Sequence, residues 1–149
     1  MAAAILPPFE VSIMSSELAV RDALSQFLAA LGPIALDVEE AGTIELVLAE
    51  VLNNIVEHAY PAGSASGPID IRCTHRKDGL HVSITDSGLA MPDGQLPLGN
   101  QVSVDVDLDD LPEGGFGWFL IQDLAKDVHY ARNGRKNRLT LRLPVGIVM

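Results

Sequence analysis

Two runs in which apolar and polar residues alternate, Ile69–Arg76 (IDIRCTHR) and Leu80–Thr85 (LHVSIT), flank the tripeptide Lys77-Asp78-Gly79. Alternation puts successive side chains on opposite faces of a strand, and a short link ending in glycine turns the chain back on itself. The pair therefore reads as an antiparallel hairpin, and its apolar side needs a cover. Neighbouring segments supply one at helical period. Glu17–Leu31 repeats Leu18, Val20, Leu24, Phe27, Leu28 and Leu31 behind a cap at Ser15 or Ser16, and stops at Gly32-Pro33. Asp37 caps a second helix running to about Tyr60, with Glu39, Glu40 and Glu45 toward its positive end and Pro61-Ala62-Gly63 closing it. Residues 8–14 (PFEVSIM) alternate as a strand at a sheet edge or exchanged with a second subunit. Gly115–Asp127 regains helical spacing, and Val128–Ala131 and Leu139–Leu143 meet as strands across Asn133-Gly134-Arg135. This order implies an α+β, two-layer α/β sandwich with helices on one face of a mixed, mostly antiparallel sheet.

A chain of 149 residues, 48% hydrophobic but only 5% aromatic, builds one aliphatic core, so residues 1–149 are expected to form a single domain. No window approaches the roughly 18 uninterrupted apolar residues of a membrane span, and MAAAILPPFE lacks the basic region and long apolar core of a secretory signal. The expectation is a cytoplasmic protein without a membrane partner. The formal charge of −10 argues against direct nucleic-acid binding, which needs clustered cations. Only Arg21 precedes Arg72, whereas Lys126, Arg132, Arg135, Lys136, Arg138 and Arg142 crowd the end, as solvated hairpin ends or as a face for an acidic protein partner. Cys73, the single cysteine, has no partner for an intramolecular disulfide and no companions for a zinc site, and reads as a small apolar filler.

Within the second helix, Ile44, Leu48, Val51, Leu52, Ile55, Val56 and Ala59 form one arc at about 100° per residue. Opposite lie Glu50, Asn53, Asn54, Glu57 and His58, with Glu50 and Asn54 one turn apart and no Lys or Arg among them. Unpaired oxygens of this kind suit Mg²⁺ and equally fit a solvated face. Asp86-Ser87-Gly88 follows an apolar strand, so a carboxylate stands at the strand end, in a plain turn or beside a ligand. Gly114-Gly115-Phe116-Gly117 opens a helix, where backbone amides and the helix dipole favour an anion, although many helix starts contain glycine. Between them, residues 86–114 form a loop longer than a packed domain needs.

In this order and spacing the three segments resemble the nucleotide site of the GHKL ATPases, the superfamily of histidine-kinase catalytic domains, Hsp90, gyrase B and MutL proteins. Glu50-Val-Leu-Asn-Asn54-Ile-Val-Glu-His58-Ala-Tyr60 is similar to the N box, Asp86-Ser-Gly88-Leu-Ala-Met-Pro92 to the first glycine box, and Gly114-Gly115-Phe-Gly117-Trp-Phe-Leu-Ile121 to the second. The His-Ala-Tyr ending of the N box and the single-domain size resemble most the anti-sigma-factor serine kinases of the SpoIIAB/RsbW type. The resemblance implies the Bergerat-type ATP-binding fold, ATP and Mg²⁺ as cofactors, and residues 92–113 as an ATP lid. It makes Glu50 the residue that accepts or orients the serine hydroxyl proton and Asn54 the Mg²⁺ ligand. Asp86 would hydrogen-bond the adenine amino group, Gly88 would give the base room, Gly115 and Gly117 would offer amides to the phosphates, and Thr140 would reach the adenine from the last strand. His58 is implied as a phosphate contact and is equally a helix-end histidine. Ala90 replaces a glycine common in the adenine box, and Glu113 stands where a basic residue is often found.

By the same resemblance the partners are a sigma factor or other response regulator and a small anti-anti-sigma-type antagonist protein, with the chain a homodimer through its N-terminal strand and first helix. Three functions follow: a serine/threonine kinase acting on the antagonist in a bacterial partner switch, a nucleotide-holding regulatory module that transfers no phosphate, and a detached histidine-kinase-like catalytic domain.

Overall fold

The alternating runs pair as an antiparallel hairpin of β2 (Pro68–Arg76) and β3 (Gly79–Asp86), with Ile71 opposite Ile84 and Cys73 opposite Val82. Gly79 closes it at φ 126°, and a Cβ there would lie 2.2 Å from the Leu143 carbonyl oxygen, so no other residue fits that turn unstrained. The computed structural model describes residues 5–63, 65–91 and 115–148; the expected lid at 92–113 lies outside them, as does Gly114.

Around the hairpin stand β1 (Phe9–Met14), α1 (Glu17–Ala30), α2 (Val38–Asn54), α3 (Gly115–Leu124), β4 (Lys126–Asn133) and β5 (Lys136–Leu143). A 3₁₀ turn, Gly32–Ile34, joins α1 to α2, and a π-helical turn, Ile55–Ala59, prolongs α2. The sheet order is β1-β2-β3-β5-β4, antiparallel at every described pairing. β1 takes the edge position and pairs with β2 of its own chain.

Strand parity sorts the two faces of the sheet. Ile69, Ile71 and Cys73 on β2, Leu80, Val82 and Ile84 on β3, and Leu139, Leu141 and Leu143 on β5 point inward and join the helices in one core. Phe27, Ile44, Leu48 and Leu52 on α1 and α2 are fully buried against them, each contributing roughly 1.5–3 kcal/mol by leaving water. The Phe9 ring meets Phe27 at 5.1 Å between centroids, tying β1 to α1. Cys73 fills this core as expected, and burial pushes its thiol pKa up to about 12. Ser16, rather than Ser15, caps α1 by accepting from the Ala19 amide at 3.0 Å. Asp37 and Glu40 form a reciprocal capping box on α2, at 2.8 and 3.3 Å.

The last third departs from the sequence reading at its boundaries. α3 ends at Leu124 instead of Asp127, and Lys126 already belongs to β4. Asp127 takes φ 54° where the β4–β5 register shifts between Lys126 and His129. Both strands run longer than expected, since Asn133 pairs Lys136 and only Gly134-Arg135 remain as the turn. Much of β4 is exposed, including Asn133 beside the turn, so its sequence carries little of the in–out contrast that reveals a strand.

Candidate nucleotide site

The inward rows of β3 and β5 are apolar except at one end of the sheet, where the register sets Asp86, the last residue of β3, opposite Asn137, near the start of β5. Both are buried, and Asn137 Nδ2 donates to Asp86 Oδ1 at 2.8 Å. The same oxygen accepts from the Gly88 amide at 2.9 Å. Asp86 Oδ2 has no hydrogen-bond partner among the described residues, and no fully buried side-chain polar atom there lacks one, so Oδ2 stays accessible. Burial raises the Asp86 pKa above the ordinary carboxylate value, opposed by the bonds from Asn137 and Gly88 and by the charge of Arg132. Below this pair Val51 and Ile55 of the α2 segment, Trp118 of α3, Leu139 of β5 and Met91 line an apolar slot whose polar end is Asp86 and Asn137. Its lining, apolar with one accessible carboxylate oxygen at the end, matches the chemistry of a planar heterocycle carrying an amino donor, but the space is only about 20 Å³, so such a group enters only when the lining side chains part.

The π-helical turn shapes the rim. Its step from Ile55 O to the Tyr60 amide, 3.2 Å, ends α2 with the Ala59 carbonyl directed at the segment after β3, where it accepts from Leu89 N at 2.9 Å. A Cβ on Gly88 would come within 2.4 Å of that carbonyl oxygen. The space beside Gly88 is thus filled by protein backbone, which corrects the expectation that its missing side chain makes room for the base. Tyr60 fastens the same segment by donating to Pro68 O at 2.9 Å and accepting from Ser87 N at 2.7 Å.

The polar seam of α2 divides. Asn54 is only 8% exposed, and its Nδ2 donates to Glu50 O at 2.7 Å, which leaves Oδ1 as the acceptor. Glu50 is half-buried one turn earlier, while Asn53, Glu57 and His58 are exposed. The wider π turn rotates Glu57 and His58 off the Glu50–Asn54 line, and His58 Nε2 comes only to 4.0 Å from Glu57 Oε2. No group of three or more His, Cys, Asp or Glu side chains able to hold a metal occurs among the described residues. An Mg²⁺ at Asn54 Oδ1 would therefore take most of its ligands from phosphates and water, the usual condition of this ion. Gly115 and Gly117 lie in the first turn of α3, where amides without an intrahelical partner gather.

Thr140 is brought to a different place. Leu139 and Leu141 face inward, so Thr140 faces outward beside Ser83, among Arg72, Arg138 and Arg142 on the opposite surface of the sheet from Asp86. That removes it from the group assembled around the slot. Three side chains that the sequence reading did not select surround the slot instead. Asn137 Oδ1 accepts from Tyr130 Oη at 2.6 Å and Arg132 Nη1 at 2.8 Å, while its Nδ2 also reaches Leu89 O at 2.8 Å. Tyr130 Oη accepts from Met91 N at 3.1 Å, and Arg132 Nη1 donates to Gly88 O at 3.0 Å. Counting by twos backward from Leu143 would have found Asn137; nothing in the sequence marks Tyr130 or Arg132.

Residues 14–143 match the family model of the histidine kinase-like ATPase domain. The serine-protein kinase RsbW of Bacillus licheniformis is 30% identical over 112 residues, which cover 74% of this chain and 67% of that protein. The serine/threonine-protein kinase BtrW of Bordetella bronchiseptica is 35% identical over 103 residues, 66% of this chain and 67% of that protein. Among solved structures, the RsbU and RsbW domains of Rv1364c from Mycobacterium tuberculosis superpose with a TM-score of 0.64 at 18% identity, over 93% of this chain and 32% of that one, a likeness of fold. No described helix is long and apolar enough to cross a membrane.

Proposed function

Because the chain belongs to the histidine kinase-like ATPase family, we propose that it is an ATP-dependent protein-serine/threonine kinase of the anti-sigma-factor type, which phosphorylates a small antagonist protein and in another complex sequesters a sigma factor or other regulator. The observation that carries the nucleotide part is Asp86, held through Oδ1 by Asn137 and Gly88 with Oδ2 accessible at the end of an apolar slot. The kinase part is supported by the likeness to two proteins named as serine or serine/threonine kinases.

In this reading the adenine enters the slot with its amino group on Asp86 Oδ2, and the phosphates extend toward the first turn of α3 and its Gly115 and Gly117 amides. Asn54 Oδ1 is the protein ligand to Mg²⁺, which when bound neutralises phosphate charge. Glu50, one turn before Asn54, accepts or orients the proton of the attacking serine hydroxyl, and His58 contributes at most from the exposed rim. The chain acts in the cytoplasm as a homodimer, with residues 92–113 as the lid.

The test mixes purified chain, Mg²⁺, radiolabelled ATP and the cognate antagonist, and measures phosphoserine or phosphothreonine. Transfer by the wild type is expected, with Glu50→Gln reduced by about 10²-fold or more while its ATP Kd stays within a few-fold. Wild type that binds ATP and transfers nothing overturns the kinase reading and leaves a nucleotide-holding regulator. A Glu50→Gln chain that loses ATP affinity in the same proportion removes Glu50 from the base role.

A further inference from the structure

Resting on the reading of the slot as the base pocket, we propose that Asn137 sets the nucleobase preference of this chain without touching the base, as the residue that commits Asp86 Oδ1 to the protein and leaves Oδ2 as an acceptor for a ligand amino group. The orientation of the Asn137 amide carries the argument. On one side, Oδ1 faces two donors, Tyr130 Oη at 2.6 Å and Arg132 Nη1 at 2.8 Å. On the other, Nδ2 faces three acceptors, Asp86 Oδ1 at 2.8 Å, Leu89 O at 2.8 Å and Gly88 O at 3.3 Å. Rotating the amide by half a turn would set its NH₂ against the guanidinium and its oxygen against a carboxylate and two carbonyls. Only the observed orientation satisfies the network.

Because the amide is saturated by protein on both sides, it has nothing left for a base, and its influence passes through Asp86. With Oδ1 already accepting from the Asn137 side chain and the Gly88 amide, the ionised carboxylate is favoured and any proton must sit on Oδ2. An ionised Oδ2 accepts from the 6-amino group of adenine and repels the 6-oxo group of guanine. A protonated Oδ2 becomes a donor and reverses that choice. The charged and titratable groups facing Asp86 are Arg132 and Tyr130 from β4 and Tyr60 from the end of the π turn. Of these, Arg132 is the one whose charge favours the ionised form. Without the Asn137 donor, burial would be less opposed and the carboxyl would keep its proton to still higher pH.

Threonine and valine at position 137 isolate the effect, since they share one shape and both suit a strand, and only threonine retains a donor for Asp86. Kd values for ATP and GTP are measured from pH 5 to 9 by calorimetry on wild type, Asn137→Thr and Asn137→Val, with circular dichroism reporting folding. The expected result is a wild-type preference for ATP that Asn137→Thr largely keeps and Asn137→Val lowers by about tenfold or more, with the pH midpoint of ATP binding moved upward in Asn137→Val alone. Threonine and valine variants that weaken ATP and GTP equally, with one shared pH midpoint, overturn the inference and make Asn137 a structural support of residues 88–91. Wild type that binds neither nucleotide overturns the underlying nucleotide reading, and this inference with it.

Discussion

Asp86 is 5% exposed and ends a row of core residues, so its ionised form is held at a cost in folding stability. Its folded pKa is raised by burial. A carboxyl shifted this way gives its full stability below the unfolded pKa and loses it as pH rises through the folded value, because the native state holds the proton more tightly. Asp86→Asn keeps an acceptor for Asn137 and Gly88 and removes the charge. Its melting temperature is expected to exceed that of wild type by more at pH 7 than at pH 4, with ATP binding lost; an equal difference at both pH values would count against the burial argument. Asn54 is the second residue whose role can be separated. Asn54→Ala should weaken Mg²⁺-dependent ATP binding by about tenfold and leave binding in EDTA nearly unchanged, as calorimetry would show. Equal affinities with and without the metal would take Asn54 out of the Mg²⁺ site. The contrast between Thr140 and Asn137 shows what the sequence carried. Alternation through Leu139, Leu141 and Leu143 already puts Thr140 outside and Asn137 inside, whereas the resemblance alone had favoured Thr140.

At the scale of elements, α2 positions the site because its start and its buried face are defined by local chemistry. The Asp37–Glu40 box fixes the start, and the apolar arc from Ile44 to Ile55 fixes which side meets the sheet. Removing the cap should loosen the helix without touching the slot. Asp37→Ala is expected to cost about 1 kcal/mol, or roughly 2–4 °C in Tm for a chain of this size, with ATP affinity kept. A cap lost without any change in Tm would mean that tertiary packing alone holds the helix start. The other end was legible as a stop and not as a π turn, since Ile55-Val-Glu-His-Ala59 continues the helical pattern unbroken. At the widened turn the Ala59 carbonyl accepts from the Leu89 amide, a contact between segments thirty positions apart in the chain.

Over the whole molecule, charge is segregated by the strand register. Arg72 and Arg76 of β2 lie on the same outer face as Arg138 and Arg142 of β5, so part of the late basic cluster joins earlier arginines on the side of the sheet away from the slot. Arg142 is anchored there at 3.0 Å from Asp127. β1 stands at an edge with a strand on one side only among the described residues, and beside it Leu18 on α1 is 73% exposed and Met14 is 53% exposed. An edge strand next to uncovered apolar side chains suits the proposed homodimer contact. Leu18→Glu should convert a dimer to a monomer in sedimentation velocity and leave ATP affinity unchanged. A dimer that persists would move the contact elsewhere.

The sequence by itself determined the elements: alternation marked the hairpin, helical spacing and caps marked α1 and α2, and the resemblance of the segments holding Glu50, Asn54, Asp86 and Gly114–Gly117 to a nucleotide site supplied the candidate residues. The signals for the elements are local, written within one turn or one strand. Only the tertiary structure decided which polar residues meet. The β3–β5 register sets Asn137 on Asp86, the β4–β5 hairpin adds Tyr130 and Arg132, and the π turn places Ala59 against Gly88. The first and last of these bring together segments far apart in the chain, and the hairpin contacts depend on the exact β4–β5 register, which no local pattern encodes.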